Sequence, residues 1–498
     1  MWPECTDGPN PTAVPPVAPW GAMKPVATAV DRLAGLAASP VVARLADAFA
    51  ERNHELALVG GSVRDAFLGR TQPDLDFATS ARPDETLAVV EPLASAVWDV
   101  GREFGTIAAR IQGETVEITT YRTDAYDGES RKPVVEFGDT LEGDLRRRDF
   151  TINALALRLP ERKLVDVADG VGDLIARRLD TPIAPETSFG DDPLRMMRAA
   201  RFTAQLGFTV TDRVREALTA MADRIDIISA ERIRDELSKL LRTDHPRPGL
   251  ELLVDTGLAD RILPELPTLQ LTVDAAHRHK DVYQHSLMVL DQAIELEHAR
   301  HPHDPPDLVL RLASLLHDIG KPSTRRFEKD GAVTFHHHDV VGAKLVRKRL
   351  RALRFDNVTV DAVAKLVELH QRFYGYTEGG WTDSAVRRYV RDAGDLLERL
   401  HELTRADVTT RNARKASRLA HAYDDLEARI AELAAQEELA AVRPELDGEQ
   451  IMALLGVGPG PVVGRAYRFL LELRLDEGPI GEEAAAARLQ QWWATQPH

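Results

Sequence analysis

The residues best suited to chemistry stand in two neighbouring stretches, Gly60-Gly61-Ser62-Val63-Arg64-Asp65 and Asp74-Leu75-Asp76. Glycine has no Cβ, so paired glycines let a backbone approach a ligand closely. A turn that runs into a helix offers N–H groups to phosphate, and Arg64 adds positive charge. Asp74 and Asp76 are two apart, so on a strand both carboxylates point to one face while Leu75 and Phe77 point to the other. Paired carboxylates of this kind can hold Mg²⁺ in a two-metal site, with ions about 3.5–4 Å apart. Glu117, between Val116 and Ile118 on another predicted strand, is a third candidate, as a metal ligand or as a base. Its bland alternative is a solvated strand residue. A glycine pair or a D-x-D triplet is common alone; the succession strand, turn, helix, strand is what points to phosphate chemistry.

Those residues need a scaffold that the pattern supplies. Leu56–Val59 is an apolar run ending in the glycine turn, and Val63–Leu68 opens a helix. Asp74–Thr79 alternates polar and apolar. Thr106–Ile111 and Thr115–Tyr121 flank Gln112-Gly113 as a hairpin. Leu33–Arg52 has helical periodicity. Beyond about residue 181 strand signals fade. Met196–Leu206, Val214–Arg224, Ala230–Leu241, Gly249–Leu258, Leu308–Ile319, Asp361–His370, Asp383–Leu403 and Lys415–Glu438 read as helices. The fold class is α+β, a mixed-sheet head followed by a long all-α body. The expected divisions are a Pro-rich disordered tail at 1–27, the head at 28–180, a helical neck at 181–265, a second domain at 266–425 and a helical tail at 426–498. Met23 is an alternative start.

The run LVGGSVRDAFLGRTQPDLDFAT resembles the active-site motif of the class II nucleotidyltransferases, the family of CCA-adding tRNA nucleotidyltransferases and bacterial poly(A) polymerases. The resemblance continues through Arg147-Arg148-Asp149-Phe150-Thr151-Ile152-Asn153-Ala154, then Asp191-Asp192-Pro193-Leu194-Arg195-Met196-Met197-Arg198, then Ser229-Ala230-Glu231-Arg232-Ile233. It implies a polymerase β-like head in which Asp74 and Asp76 bind catalytic Mg²⁺, and Gly60, Gly61, Ser62 and Arg64 hold a triphosphate. It also implies that Asp149 and Asn153 read the ribose 2′-OH, that Asp192 and Arg195 bind the base, and that Arg148 and Arg198 belong to the nucleotide site. Base reading has a physical basis. Cytosine and adenine both offer an amine donor beside a ring-nitrogen acceptor, which a carboxylate and a guanidinium match. An i, i+3 spacing on a helix sets Asp192 and Arg195 on one face. The reaction implied is template-independent addition of CCA to tRNA from CTP and ATP, with release of pyrophosphate. Poly(A) polymerase and A-only addition are the alternatives within the family.

A second constellation comprises His285, the pair His317-Asp318 at the end of an apolar helix, and Asp407 within a later helix. With LLHDIGKP it resembles the HD phosphohydrolase pattern, which implies a divalent metal of unspecified identity on His285, His317, Asp318 and Asp407. His338 and His370 stand where larger HD sites recruit further ligands. The resemblance permits a phosphohydrolase side activity. From a different class, the chain reads as an HD phosphohydrolase with a nucleotide-sensing head; the intact Asp74/Asp76 pair speaks against that.

The 498 residues carry 63 Lys+Arg and 79 Asp+Glu, a net charge of −16. That disfavours a general polyanion binder. Local clusters oppose it: Arg195, Arg198 and Arg201; Arg232, Arg234, Lys239 and Arg242; Lys344 to Arg354; Arg411, Arg414, Lys415 and Arg418. These are candidate tRNA contacts, or solvated helix faces. The single cysteine, Cys5, excludes an intrachain disulfide and a Cys-based zinc cluster. No apolar run spans a membrane and no secretory signal is evident, so the expected setting is cytoplasmic, with no protein partner implied.

Overall fold

The computed structural model describes residues 26–70, 74–99, 101–102, 105–125, 134–138, 140–270, 281–329, 333–373, 376, 381–409, 412–437 and 443–496. The Pro-rich stretch expected at 1–27 lies almost wholly outside them. The chain forms two compact units. The first holds residues to Ile228 together with Pro248–Leu258, and the second holds Ser229–Arg247 and the chain from Ala259. The segment 181–265, read from sequence as one neck, is thus shared between the units.

The first unit is built on a sheet. Its strands in chain order are β1 Leu56–Val59, β2 Leu75–Thr79, β3 Ala96–Trp98, β4 Thr106–Ile111 and β5 Glu114–Thr120. A separate antiparallel pair follows, β6 Arg122–Ala125 and β7 Val134–Phe137, and then β8 Leu155–Leu159 and β9 Lys163–Asp166 return to the sheet. The order across it is β3-β4-β5-β2-β1-β8-β9. All neighbours run antiparallel except β2 and β5, which are parallel. The hairpin predicted at Gln112-Gly113 is present, and both residues have positive φ (52° and 90°), as a tight twisted turn requires. The period of two sorts the faces. Ala57, Val59, Ala78 and Ala156 lie on one face and pack with Tyr121, Leu141 and Leu145. Asp76 shares that face with Ala78, whereas Leu75 and Phe77 are buried on the other.

Two expected helices are broken, each for a backbone reason. Leu33–Arg52 becomes Val26–Ala37 and Pro40–Ala50, because the residue before a proline is driven out of the helical region; Ser39 has ψ 146°. Asp383–Leu403 becomes Asp383–Ala393 and Leu397–Ala406, divided at Gly394 with φ 53°. No single described helix is long and apolar enough to cross a membrane.

The second unit is helical. Ala230–Leu241, Val282–Arg300, Leu308–Leu316, His338–Ala352, Asn357–Leu369 and Leu397–Ala406 pack together, and Gly448–Leu455, Pro461–Glu477 and Glu482–Ala494 form a separate core around Ile451, Leu470 and Leu489. The fully buried Arg311 joins three helices. Its Nε donates to Glu297 (2.9 Å), and its Nη1 donates to the carbonyls of Leu241 (2.8 Å) and Thr243 (2.7 Å). A cation thereby satisfies carbonyls left over where Ala230–Leu241 ends. Removing one partner of a buried pair strands the other charge. Arg311→Ala should therefore destabilise the protein by about 3–5 kcal/mol, and an unchanged unfolding midpoint in denaturant would show that Glu297 finds another partner.

Candidate active site and metal centre

The turn between β1 and the helix Gly61–Leu68 sets the first site. Gly60 has φ +61°, a backbone conformation that favours glycine, and a Cβ there would lie 2.8 Å from the movable Nη1 of Arg148. Ser62 begins the helix fully buried. Its hydroxyl donates to the Asp74 carbonyl (2.5 Å) and accepts from the Asp76 N–H (2.9 Å). That hydroxyl is a clasp that fixes the start of β2 against the turn. Asp76 stands opposite Glu117 in the parallel register of β2 and β5. Burial, reinforced by Glu117 and Asp74, raises the Asp76 carboxyl to about 6, against the pull of Arg148 and Arg64. Asp74 and Glu117 are exposed. Three carboxylates on one sheet face, two of them exposed and the third raised by burial and by its like-charged neighbours, suit Mg²⁺, which takes few protein ligands and completes its shell with water and substrate phosphate. The residues therefore fit the metal.

Around the turn runs a continuous polar network. Arg64 makes a two-pronged contact with Asp65 (2.9 and 3.1 Å) and donates to Oδ1 of Asn153 (2.7 Å). Asn153 donates to Asp149 (3.0 Å), whose other oxygen accepts from Nε and Nη2 of Arg198 (2.7 and 2.6 Å). Burial would raise the Asp149 carboxyl, but Arg198 and the Asn153 amide outweigh it and hold it well below the usual carboxylate range. Arg64, Asp149, Asn153 and Arg198, drawn from separate motifs, are thus brought together. Arg148 donates to Asp144, a buried carboxylate that the sequence reading missed. The available signal was the spacing, since Asp144 precedes Arg147 and Arg148 by three and four residues.

Asp192 and Arg195 do not share a helix. Asp192 ends Pro185–Asp191 in an extended conformation (φ −143°, ψ 100°), and the next helix begins at Leu194. Pro193 is the cause, since it excludes a helical residue before it. The Asp192 carboxylate accepts from the Leu194 N–H (3.1 Å). Arg195 is buried; its Nη1 donates to the Ser188 hydroxyl (2.9 Å) and its Nη2 to the Arg147 carbonyl (2.7 Å).

Most of the basic clusters read from sequence are paired in the fold. Arg195 and Arg198 turn inward as described. Arg234 meets Asp235, Lys239 meets Glu236, Arg347 approaches Asp361 and Glu368, Arg349 meets Glu265, and Arg354 approaches Glu231. Acids from other segments thus stand beside Arg347, Arg349 and Arg354 of a run that contains none. Arg414, Lys415 and Arg418 are exposed, and Arg411 lies outside the described residues.

In the second unit two sets of ligand atoms converge, each within 4.8 Å: His285, His317 and Asp407, and Asp318, His338 and His370. Asp407 caps the end of Leu397–Ala406 rather than lying within the helix. The imidazoles are held from behind. Nδ1 of His317, His338 and His370 lies 2.8, 2.8 and 2.6 Å from the carbonyls of Ser314, Phe335 and Val367. Nδ1 of His285 lies 3.1 Å from the Thr409 hydroxyl. Anchoring Nδ1 to a carbonyl turns Nε2 toward the centre, the arrangement that orients metal-binding histidines. Asp318 faces both sets, with Oδ2 near His317 (3.2 Å) and Oδ1 near His338 (3.3 Å). Lys321 is 2.6 Å from Oδ2. Burial would raise Asp318, but His317 and Lys321 hold it well below its ordinary range. Burial first, then His317, lowers His370 to about 4, and its Nε2 is buried without a hydrogen-bond partner. An orphaned imidazole nitrogen beside two carboxylates fits a divalent cation.

Glycine brings the second set into place. A Cβ on Gly320 would lie 2.0 Å from the His338 carbonyl and 2.7 Å from the Gly342 nitrogen, so the helix His338–Ala352 can rest on the His317-Asp318 turn only without that side chain. Gly320→Ala should abolish the rise in unfolding temperature that Mn²⁺ or Ni²⁺ produces in the wild type, where metal at a hundredfold its Kd adds about 2.7 kcal/mol. Equal rises in both proteins would show that metal binding needs no such contact.

The head makes a pH-dependent prediction. Asp76 holds its proton more tightly folded (about 6) than unfolded (3.8). Its contribution to stability is fully present below the lower value and is lost as pH rises through the higher one. At neutral pH the loss is on the order of 3 kcal/mol. Mg²⁺ opposes the repulsion that causes it, so Mg²⁺ should raise the melting temperature more at about pH 7.5 than at about pH 5. A shift independent of pH would count against Asp76 as a ligand.

Three family descriptions match the chain: Poly A polymerase head domain over residues 56–180, probable RNA and SrmB-binding site of polymerase A over 207–269, and HD domain over 282–434. The A-adding tRNA nucleotidyltransferase of Deinococcus radiodurans is 36% identical over 88% of this chain and 95% of its own length. The CC-adding tRNA nucleotidyltransferase of Thermus thermophilus is 33% identical over 87% of this chain and 93% of its own. Among solved structures, a Bacillus stearothermophilus CCA-adding enzyme in complex with CTP superposes with TM-score 0.62 at 24% identity, covering 92% of this chain and 98% of that one; it supports the fold.

Proposed function

The chain belongs to the tRNA nucleotidyltransferase family, and from that premise we propose that it completes tRNA 3′ ends with CCA, using CTP and ATP without a template. The observation that carries this reading is the set Asp74, Asp76 and Glu117 on one sheet face, beside a glycine turn lined by Arg64 and Arg148.

In the reaction the tRNA 3′-oxygen forms a bond to the α-phosphorus, the bond from that phosphorus to the bridging oxygen breaks, and pyrophosphate leaves. Asp74 and Asp76 would hold Mg²⁺, which when bound stabilises charge on the attacking and leaving oxygens. The turn at Gly60 and Gly61 admits the triphosphate, and Arg64 and Arg148 supply positive charge to it. Glu117 takes the hydroxyl proton. Asp149 and Asn153, already bonded to each other, stand at the sugar, and Asp192 and Arg195 at the base. A carboxylate accepts from the amine of cytosine or adenine and a guanidinium donates to the ring nitrogen, whereas uracil and guanine present the reverse pattern. One pair of residues therefore serves both nucleotides. The net charge of −16 disfavours general RNA binding and leaves a grip on one structured RNA at a few basic patches, so tRNA binding should weaken steeply with salt. Such substrates and the lone cysteine support a cytoplasmic setting.

The two relatives matched along nearly their whole length carry the names of half-reactions, A addition and CC addition, which favours a specialised enzyme as the second reading. Transcripts ending before CCA, after C and after CC, each given one labelled nucleotide, separate the readings. Two C additions and one A addition support CCA synthesis; C alone or A alone supports specialisation, and long A tails support a polymerase. In the same assay Glu117→Gln should slow addition by about 10²-fold or more, and normal rates would remove Glu117 from the chemistry.

The converged histidines and aspartates of the second unit support a phosphohydrolase side activity, with the divalent ion held by His285, His317, Asp318 and Asp407 and extended by His338 and His370. Phosphatase rates of wild type and His317→Ala with Mg²⁺, Mn²⁺ and Ni²⁺ test it, and equal, near-zero rates reject it.

A further inference from the structure

We propose that Asp144 is a positioning residue for the nucleotide, acting through Arg147 and Arg148. It lies on the short helix Leu141–Arg146, where Leu141 and Leu145 pack into the sheet core and so fix the direction of the residue between them. Its carboxylate is 1% exposed. Oδ1 accepts from Nε and Nη2 of Arg147 (3.1 and 2.7 Å), Oδ2 accepts from Nη2 of Arg148 (3.1 Å), and the Arg122 N–H donates to Oδ1 (3.3 Å). Burial would raise this carboxyl, but the two arginines hold it below its ordinary range, so it is a fixed anion at neutral pH.

Each arginine serves a different part of the site. The free end of Arg148, Nη1, lies against the Gly60 turn. The backbone carbonyl of Arg147 receives Nη2 of Arg195. One buried carboxylate thereby sets the guanidinium at the triphosphate turn and the anchor of the guanidinium assigned to the base. This rests on the reading that the nucleotide sits at the Gly60-Gly61 turn.

Asp144→Asn keeps the shape and removes the charge. In the full chain it should raise KM for both CTP and ATP about tenfold with kcat changed less than about threefold. Unaltered KM values overturn the proposal, as does a fall in kcat alone that follows the loss of folded protein by circular dichroism. The double variant Asp144→Asn/Arg148→Ala should lose less nucleotide affinity than the two single losses added together, whereas fully additive losses show that Asp144 does not act through Arg148. Equilibrium titration with CTP, in the absence of tRNA, reads the same coupling. A wild type that binds CTP but transfers nothing defeats the proposed function, while the titration still decides the role of Asp144.

Discussion

The parallel pairing of β2 with β5 is the constraint on which the head depends. It alone, in an otherwise antiparallel sheet, sets Asp76 beside Glu117. Like charges this close, with Asp76 mostly buried, oppose folding unless something positive stands near. The nearby positive groups are Arg64 and Arg148, and neither is left to neutralise the carboxylates directly. Arg64 is tied to Asp65 and Asn153, and Arg148 to Asp144. The site thus keeps its negative charge available to an incoming ion, at a cost in stability met by the packed alanines and leucines beneath it.

The same economy governs the network reaching outward. Arg198, Asp149, Asn153, Arg64 and Asp65 form one chain of charge-assisted hydrogen bonds. Such a chain is stiff, because moving any member leaves a buried polar group unpaired. It links the helix Leu194–Leu206 to the glycine turn.

The second unit solves a related problem with histidine. Four imidazoles and two carboxylates converge, and the backbone carbonyls behind three of the rings and a hydroxyl behind the fourth choose which nitrogen faces inward. Packing of His338–Ala352 against a turn without a side chain completes the arrangement. Glycine at 320 is therefore a requirement of close approach, not of backbone conformation, since its φ is −77°.

Residue order alone determined a good deal. The succession of β1, turn, helix and β2, the period-two placement of Asp74 and Asp76, and the hairpin at Gln112-Gly113 all follow from local backbone preferences, which act between near neighbours. The HD constellation was legible as residue types in order, His338 and His370 included, though not its division into two sets of three. What the tertiary structure decided are facts of distant contact. That the Ser62 hydroxyl clasps β2, that Asp144 holds two arginines, and that Arg198 pairs with Asp149 are contacts that no local preference dictates. The separation of Asp192 from the helix of Arg195 was readable from Pro193, yet helical spacing hid it. The basic runs are only partly legible for a different reason: a run has charge in sequence, but a surface has charge only after other segments have contributed their acids. Local sterics and periodicity are written residue by residue, whereas burial and charge compensation are properties of the packed fold.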